Sequence, residues 1–338
     1  MIPALYAAIA RRRREWYAAH PEARRRLRRP VISIGNIAAG GRGKTPFAAA
    51  VARMLMELGE RPAILSRGYG RAERPDGAVV VRDAGGIRAD LARSGDEPFM
   101  LARQLPGAIV IVSPDRYVGG RLAEHHLGAT VHVLDDGFQH FQLDRDADVV
   151  LVRREDLEEG ARGRPSGPTE RRPIKGGPTF RREPPDVLAA ADAIVALDEG
   201  IVADVDVPVF RARRTIGAAV FEDGGGAASR VFAFAGIAAP SEFFETVTAS
   251  GAQLAATRAF RDHHRYSAAD LERLFGEAKA SGAEALLTTE KDYVRLLPYR
   301  PFPVRVGYLP LTMEPEPREA FRQWLVSAMA SARDIVLV

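Results

Sequence analysis

Apolar positions along the chain follow two rhythms, and their alternation sets the fold to expect. Ile2, Leu5, Tyr6, Ile9, Arg13 and Trp16 recur at helical spacing, an apolar stripe with arginines close behind it. From Pro30 the rhythm changes to strand, glycine-rich turn and helix. Val31–Ile34 reads as a short buried strand, and 47–58 as a helix carried by Ala50, Val51, Met54, Leu55 and Leu58 and closed by Gly59. Ala63–Ser66 is the next strand, followed by the loop Arg67-Gly-Tyr-Gly-Arg71. Val79–Val81, Ala108–Val112, Thr130–Leu134 and Val149–Val152 are further β-rich runs, with helical stretches near 97–104 and 116–126 between them. Strands alternating with helices predict an α/β fold with a mainly parallel, doubly wound sheet.

Residues 153–186 break this rhythm. They are rich in Arg, Glu, Gly and Pro with almost no apolar periodicity, as in a functional or disordered loop. Ala193–Leu197 and Val207–Ala212 return as strands. Gly224–Gly226 marks a boundary, and Val231–Ala235 starts a second, smaller α/β domain. There Ser241 and Ser267 are expected to cap helices at about 242–250 and 268–281. The expected division is an N-terminal helix over 1–28, a principal domain over 29–222, a smaller domain over 227–315, and a C-terminal helix and tail over 316–338.

A length of 338 residues suits two modest domains, and 46% hydrophobic with 27% charged content is that of a globular chain. With no cysteine, disulfides and thiolate metal sites are excluded, and a reducing cytoplasm is the natural setting. Net charge is +4, yet residues 1–30 hold nine arginines against Glu15 and Glu22, so this arm carries +7 and the remainder −3. Any basic surface is therefore local. No run approaches the roughly 18–20 apolar residues of a membrane span. Arginines that follow the opening apolar stretch are in the wrong order for a secretory signal. The segment suits two settings. It can lie in a membrane interface, with Trp16 and Tyr17 at headgroup level and Arg11–Arg14 towards anionic lipid, or pack as a solvated helix on its own domain.

The strongest chemical signal is Ala38-Ala39-Gly40-Gly41-Arg42-Gly43-Lys44-Thr45, set between a strand and a helix as a P-loop must be. Glycines let backbone N–H groups turn around phosphate oxygens at a helix N-terminus. Lys44 would reach the β- and γ-phosphates of a nucleotide, and the Thr45 hydroxyl would bind Mg2+. Ala38 stands where the general pattern has its first glycine. Pro46 falls in the first helical turn, where its missing N–H costs little.

Three further stretches carry chemistry. Val131-His132-Val133-Leu134-Asp135-Asp136-Gly137-Phe138-Gln139-His140 is an apolar strand ending in acids. Alone, the acid pair suits a turn as well as a metal site; beside a P-loop, Mg2+ or its waters become the favoured ligand. Gly95-Asp96-Glu97-Pro98 reads either as a helix start with Asp96 as N-cap or as a carboxylate placed to accept a proton from an attacking hydroxyl. Arg261-Asp262-His263-His264-Arg265-Tyr266-Ser267 offers an Asp–His relay or a solvated loop. Thr289-Glu290-Lys291-Asp292 has the form of a capping box.

Together these stretches resemble the tetraacyldisaccharide 4′-kinase family. The match runs through the Leu5-Tyr6 region, Val31–Pro46, Ser66–Arg71, Gly95–Pro98, Asp135–His140, Phe234–Pro240, Asp262–Ser267 and Leu287–Asp292. Its most specific pieces are the Gly35-Asn36-Ile37 lead into the Gly-Gly-x-Gly-Lys-Thr-Pro loop and the Asp-Asp-Gly-Phe-Gln-His run. The resemblance implies a P-loop NTPase-like fold. It also implies transfer of the γ-phosphate of ATP to the 4′-hydroxyl of a tetraacyldisaccharide 1-phosphate, giving lipid IVA in lipid A biosynthesis. Such proteins are monotopic on the cytoplasmic face of the bacterial inner membrane. By resemblance, Lys44 and Thr45 meet nucleotide and Mg2+, Asp135 and Asp136 lie near the metal, and Asp96 is the base. His263 assists it from the second domain, with Glu97, Gln139 and His140 lining the site.

One piece departs. Where the family has Gly-Pro-Leu-Arg-Glu, Gly167-Pro168-Thr169-Glu170-Arg171-Arg172 exchanges acid and base, so Glu170 and Arg171 receive no role. The competing expectation is a P-loop ATPase switch of the partitioning or cofactor-maturation kind. Against it, Ala39 stands where partitioning ATPases carry a signature lysine. A nucleic-acid module built on the arginine arm lacks an aromatic platform or recognition-helix pattern. The expected partners are therefore a glycolipid and the inner-membrane surface, not nucleic acid.

Overall fold

The computed structural model describes residues 2–38, 41–157, 183, 185–201, 205–222 and 224–336. At the centre of a ten-stranded sheet is β1 (Val31–Asn36), six buried residues flanked in parallel by β6 (Val131–Asp135) and β7 (Ala147–Val152). Beyond β6 come β2 (Pro62–Ser66) and β5 (Ile109–Val112) in parallel, then β3 (Val79–Asp83) and β4 (Gly86–Ile87) antiparallel. Beyond β7 come parallel β8 (Ala193–Ala196) and β9 (Val209–Ile216), closed by antiparallel β15 (Leu311–Glu316). Strands buried on both faces need no polar alternation, which is why β5 reads as an unbroken apolar run and β7 as Val149–Val152 after Asp148.

Helices cover both faces, the doubly wound arrangement expected. On one side α2 (Lys44–Glu57), α4 (Asp96–Gln104) and α10 (Arg318–Val336) bring Phe47, Leu55, Leu101, Phe321 and Leu325 into one core. On the other, α5 (Arg116–His126) packs Ala123 with Leu65 and Ile111. α3 (Leu91–Ser94) and α6 (Arg154–Leu157) are single turns. α1 (Ile2–Ala19) is helical where the apolar stripe predicts but ends nine residues short of the expected limit of 28, since Pro21 disfavours helix at His20. No helix among the described residues is long and apolar enough to cross a membrane.

The second sheet runs β10 (Val220–Phe221), β14 (Val306–Leu309), β13 (Ala285–Thr289), β11 (Arg230–Ala235) and β12 (Gln253–Ala259). α7 (Pro240–Ala249) covers one face through Phe243 and Val247. α8 (Ala268–Ala280) and α9 (Glu290–Leu296) cover the other through Leu271, Leu274 and Tyr293.

Local details differ from the sequence expectation. α7 starts two residues early, with Ala239 at its N-cap and Pro240 in the first turn, so Ser241 is no cap. A proline there has no N–H to satisfy, which lessens the need for a capping side chain. Ser267 does cap α8, reciprocally with Asp270. β15 falls in the stretch assigned to the smaller domain, yet it pairs with β9 from Leu311 opposite Ile216 to Glu316 opposite Arg211. Burial of Met313 in the larger core holds it there, so the chain returns to the first sheet through Pro310 alone. Of the loop expected over 153–186, residues 158–182 and 184 lie outside the described residues, including the altered stretch at 167–172.

Candidate active site

β1 ends at Asn36 and α2 starts at Lys44, with Gly43 as its cap at φ 71°, a left-handed conformation that glycine adopts without strain. Gly35 is required for another reason. A Cβ there would stand 2.4 Å from Phe138 Cβ and 2.9 Å from the Phe138 backbone nitrogen. The end of β1 and the loop after β6 therefore meet with no room for a side chain. Register puts Asp135 beside Ile34 and carries the acid pair to the P-loop.

There Lys44 Nζ donates to Asn36 Oδ1 at 3.2 Å and lies 3.5 Å from Asp136 Oδ1. Thr45 Oγ1 donates to Asp135 Oδ2 at 3.1 Å. Ala38 is buried, while Ala39 and Gly40 lie outside the described residues. Gly41 has open space where a side chain would be. Arg42 pairs with Glu155 at 2.5 Å and with buried Asp156 at 2.7 Å. Its guanidinium thus braces the loop against α6.

Asp135 is buried, and that burial, with Glu97 and Asp136 as negative neighbours, pushes its carboxyl up to about 7 against the pull of Lys44 and Thr45. Arg116, at the start of α5, is buried too. Burial and nearby Arg67 lower it to about 10, while Asp136 and Asp135 pull the other way. Gln139 Nε2 donates to the Asn36 carbonyl at 2.8 Å and to Glu183 Oε1 at 2.9 Å. His140 is held neutral: burial, then Arg116 and Arg145, push it down to about 3, and its Nε2 is buried without a hydrogen-bond partner.

The second sheet supplies the opposite wall. Asp96 is the first residue of α4, with Gly95 rather than Asp96 in the cap position. Arg295 Nη2 donates to Asp96 Oδ2 at 2.5 Å, Lys291 Nζ lies 3.8 Å from the same oxygen, and His263 Nδ1 lies 3.7 Å from it. Lys291 also donates to Glu97 Oε1 at 2.8 Å. Burial favours the neutral acid at Asp96, but His263, Lys291 and Arg295 outweigh it and hold the carboxyl far below the usual range. His264 is turned away, stacked on Phe260 and bonded to Asp270. Among the described residues, the two non-glycines with positive φ are Asp136 at 59° and His263 at 57°, one on each wall. Strained backbone of this kind collects at functional sites.

The expected residues thus fall into two groups facing one another: Lys44, Thr45, Asp135, Asp136, Gln139 and His140 on the first sheet, and Asp96 with Glu97 against His263. Sequence reasoning missed Arg116, Glu183 and Arg295, and took Lys291 only as part of a cap. Thr289 does cap α9, accepting from the Asp292 N–H. Lys291 and Arg295 are four apart on α9 and so share a face, a signal the sequence did offer. Arg182-Glu183-Pro184 keeps the Arg-Glu order absent from 167–172, which could have flagged Glu183. No group of three or more His, Cys, Asp or Glu able to hold a metal ion by itself occurs among the described residues.

Comparison with known proteins gives the following. The family model for tetraacyldisaccharide-1-P 4′-kinase matches residues 1–330. A tetraacyldisaccharide 4′-kinase of Syntrophus aciditrophicus is 36% identical over 323 residues, covering 88% of this chain and 84% of its own. One from Anaeromyxobacter dehalogenans is 43% identical over 289 residues, covering 80% and 73%. The crystal structure of LpxK from Aquifex aeolicus in complex with ATP aligns with a TM-score of 0.78 at 30% identity, over 97% of both chains.

Proposed function

The chain belongs to the tetraacyldisaccharide-1-P 4′-kinase family, and from that premise we propose that it transfers the γ-phosphate of ATP to the 4′-hydroxyl of a tetraacyldisaccharide 1-phosphate. The product is lipid IVA, and the step belongs to lipid A biosynthesis. The observation that carries the residue assignment is the junction of Lys44 and Thr45 with Asp135 and Asp136 at the head of α2.

Lys44 now rests between Asn36 and Asp136, and its ammonium would move to the β- and γ-phosphates when ATP enters. Mg2+ fits this donor set. The ion commonly keeps several waters and takes only one or two carboxylates beside substrate phosphates, which agrees with the lack of a three-acid cluster among the described residues. The Asp135 carboxyl is raised by burial first and then by the Glu97 and Asp136 charges, which Lys44 does not offset, so a cation there would be favoured. Thr45, Asp135 and Asp136 would hold the ion, which when bound offsets the negative charge of the phosphates.

Asp96 would accept the proton of the acceptor hydroxyl. A carboxylate held so far below its usual range is a weak base. In a loose phosphoryl transition state, however, positioning the nucleophile counts for more than basicity. Arg295 and Lys291 keep Asp96 ionised, and His263 stands at its oxygen from the second domain. Glu97, between Lys291 and Asp135, links this group to the metal side. The two sheets would be two domains that meet around the reacting atoms.

The exposed side chains of Ile9 and Trp16 on α1 support a seat in the inner-membrane surface, on the cytoplasmic face. Acceptor dependence tests the reading. ATP consumption in detergent micelles should require the tetraacyldisaccharide 1-phosphate and produce a bisphosphorylated lipid. Equal consumption with and without acceptor would favour a nucleotide switch.

A further inference from the structure

Of the two settings expected for α1, the membrane one turns Arg11–Arg14 outward, and Arg14 does not follow it. Its guanidinium grips Glu183 with two hydrogen bonds, Nε to Oε2 at 2.8 Å and Nη2 to Oε1 at 3.0 Å. It also lies over the Phe138 ring, 4.3 Å from the centroid. The Glu183 side chain is fully buried, so the pair is one that neither partner can leave cheaply. Glu183 is in turn fixed to the nucleotide side. Its backbone N–H donates to the Ile37 carbonyl at 3.1 Å, and its Oε1 accepts from Gln139. Gln139 donates to the carbonyl of Asn36, whose side chain accepts from Lys44 Nζ. An unbroken run of polar contacts therefore leads from α1 to the P-loop lysine: Arg14, Glu183, Gln139, Asn36, Lys44.

We propose that Arg14 is a positioning residue for nucleotide binding: through Glu183, Gln139 and Asn36 it fixes where Lys44 waits, so α1 is part of the nucleotide site as well as a membrane-facing helix. The arrangement carries this in three ways. Arg14 is the fork-shaped donor that a buried carboxylate needs for two parallel bonds. Asn36 takes part at both ends, its carbonyl held by Gln139 and its amide oxygen by Lys44. Phe138, beneath the Arg14 guanidinium, also abuts Gly35, so displacement of Arg14 reaches β1 by packing as well as by hydrogen bonds. The inference rests on the reading of Lys44 as the phosphate-binding lysine.

The test measures binding of a non-hydrolysable ATP analogue with Mg2+ to the full chain in detergent micelles, without acceptor or vesicles. A role confined to membrane anchoring predicts no change there. Arg14→Gln should weaken the analogue about 3- to 30-fold, inside the range of couplings between contacting residues. Arg12→Gln makes the same charge change at an exposed neighbour and should leave binding as it was. Because Arg14→Gln strands a buried carboxylate, Arg14→Gln/Glu183→Gln removes both charges. It should melt closer to wild type while still binding the analogue weakly. Wild-type affinity in a well-folded Arg14→Gln or double variant, or equal losses for Arg12→Gln and Arg14→Gln, would overturn the proposal. Lys44→Ala runs alongside: unchanged analogue binding there would mean that the nucleotide reading itself has failed.

Discussion

Asp135→Asn should make the metal-free protein more stable at alkaline pH while removing its activity. The folded chain raises this carboxyl from 3.8 to about 7. That is about three units, or on the order of 4 kcal/mol, at roughly 1.4 kcal/mol per unit. Relaxation and water penetration reduce such penalties, leaving about 2 kcal/mol for the comparison. The sign follows from proton counting. Between pH ~4 and ~7 the folded state holds a proton that the unfolded state has lost, so stability falls as pH rises through that window and stays low above it. Asparagine has no charge to bury, and its Oδ1 can still accept from Thr45. An unfolding entropy of about 0.7 kcal/mol/K for a chain of this length converts 2 kcal/mol to about 3 °C. Thermal melts of both proteins without Mg2+ or nucleotide should therefore show the variant about 3 °C higher at pH 8 and level with wild type near pH 4.5. Saturating Mg2+ and ATP should reverse the order at pH 8, because only the wild type would bind them well. A variant that melts at or below wild type at pH 8 without metal refutes the reasoning.

Asp96→Asn should lower kcat by about 10²–10⁴-fold with little change in ATP affinity; weakened Mg2+–ATP binding with kcat spared at saturation would make Asp96 a nucleotide contact instead. His263→Ala should cost less, and the double variant less than the product of the two, as groups acting on one proton do. Gly35→Ala should destabilise by about 1–3 kcal/mol or more, read by urea melts, because the new methyl meets Phe138 backbone. Deleting residues 1–17 should release the protein from anionic vesicles in sedimentation, and wild-type binding should weaken with salt; co-sedimentation of the truncated chain would place the anchor elsewhere.

The P-loop half of the candidate site was legible because its signals are local. A strand, a glycine-rich turn and a helix with Lys44 and Thr45 occupy one short stretch, and the acids of β6 end a neighbouring apolar run. The wall opposite was less legible. Asp96 and Arg295 are 199 residues apart, and no periodicity announces that they touch. Arg14 looked like its outward neighbours because charge pattern alone cannot say which arginine of a run finds a buried partner. Glu183 lies in a stretch without apolar rhythm. The return of β15 to the first sheet was hidden for a related reason: an edge strand of alternating burial reads the same beside either sheet.

The most direct test of the central claim follows label from [γ-32P]ATP into the lipid. Tetraacyldisaccharide 1-phosphate in detergent is given to wild type and to Lys44→Ala, both checked by melting, and the phosphate position is read by mass spectrometry. In the proposed reaction Lys44 would supply positive charge where charge gathers in the transition state, a contribution commonly worth several kcal/mol. Wild type should place the label on the 4′-oxygen, and folded Lys44→Ala should lose at least about 10²-fold of that rate. Label released as inorganic phosphate, or near-normal transfer by the variant, would contradict the account.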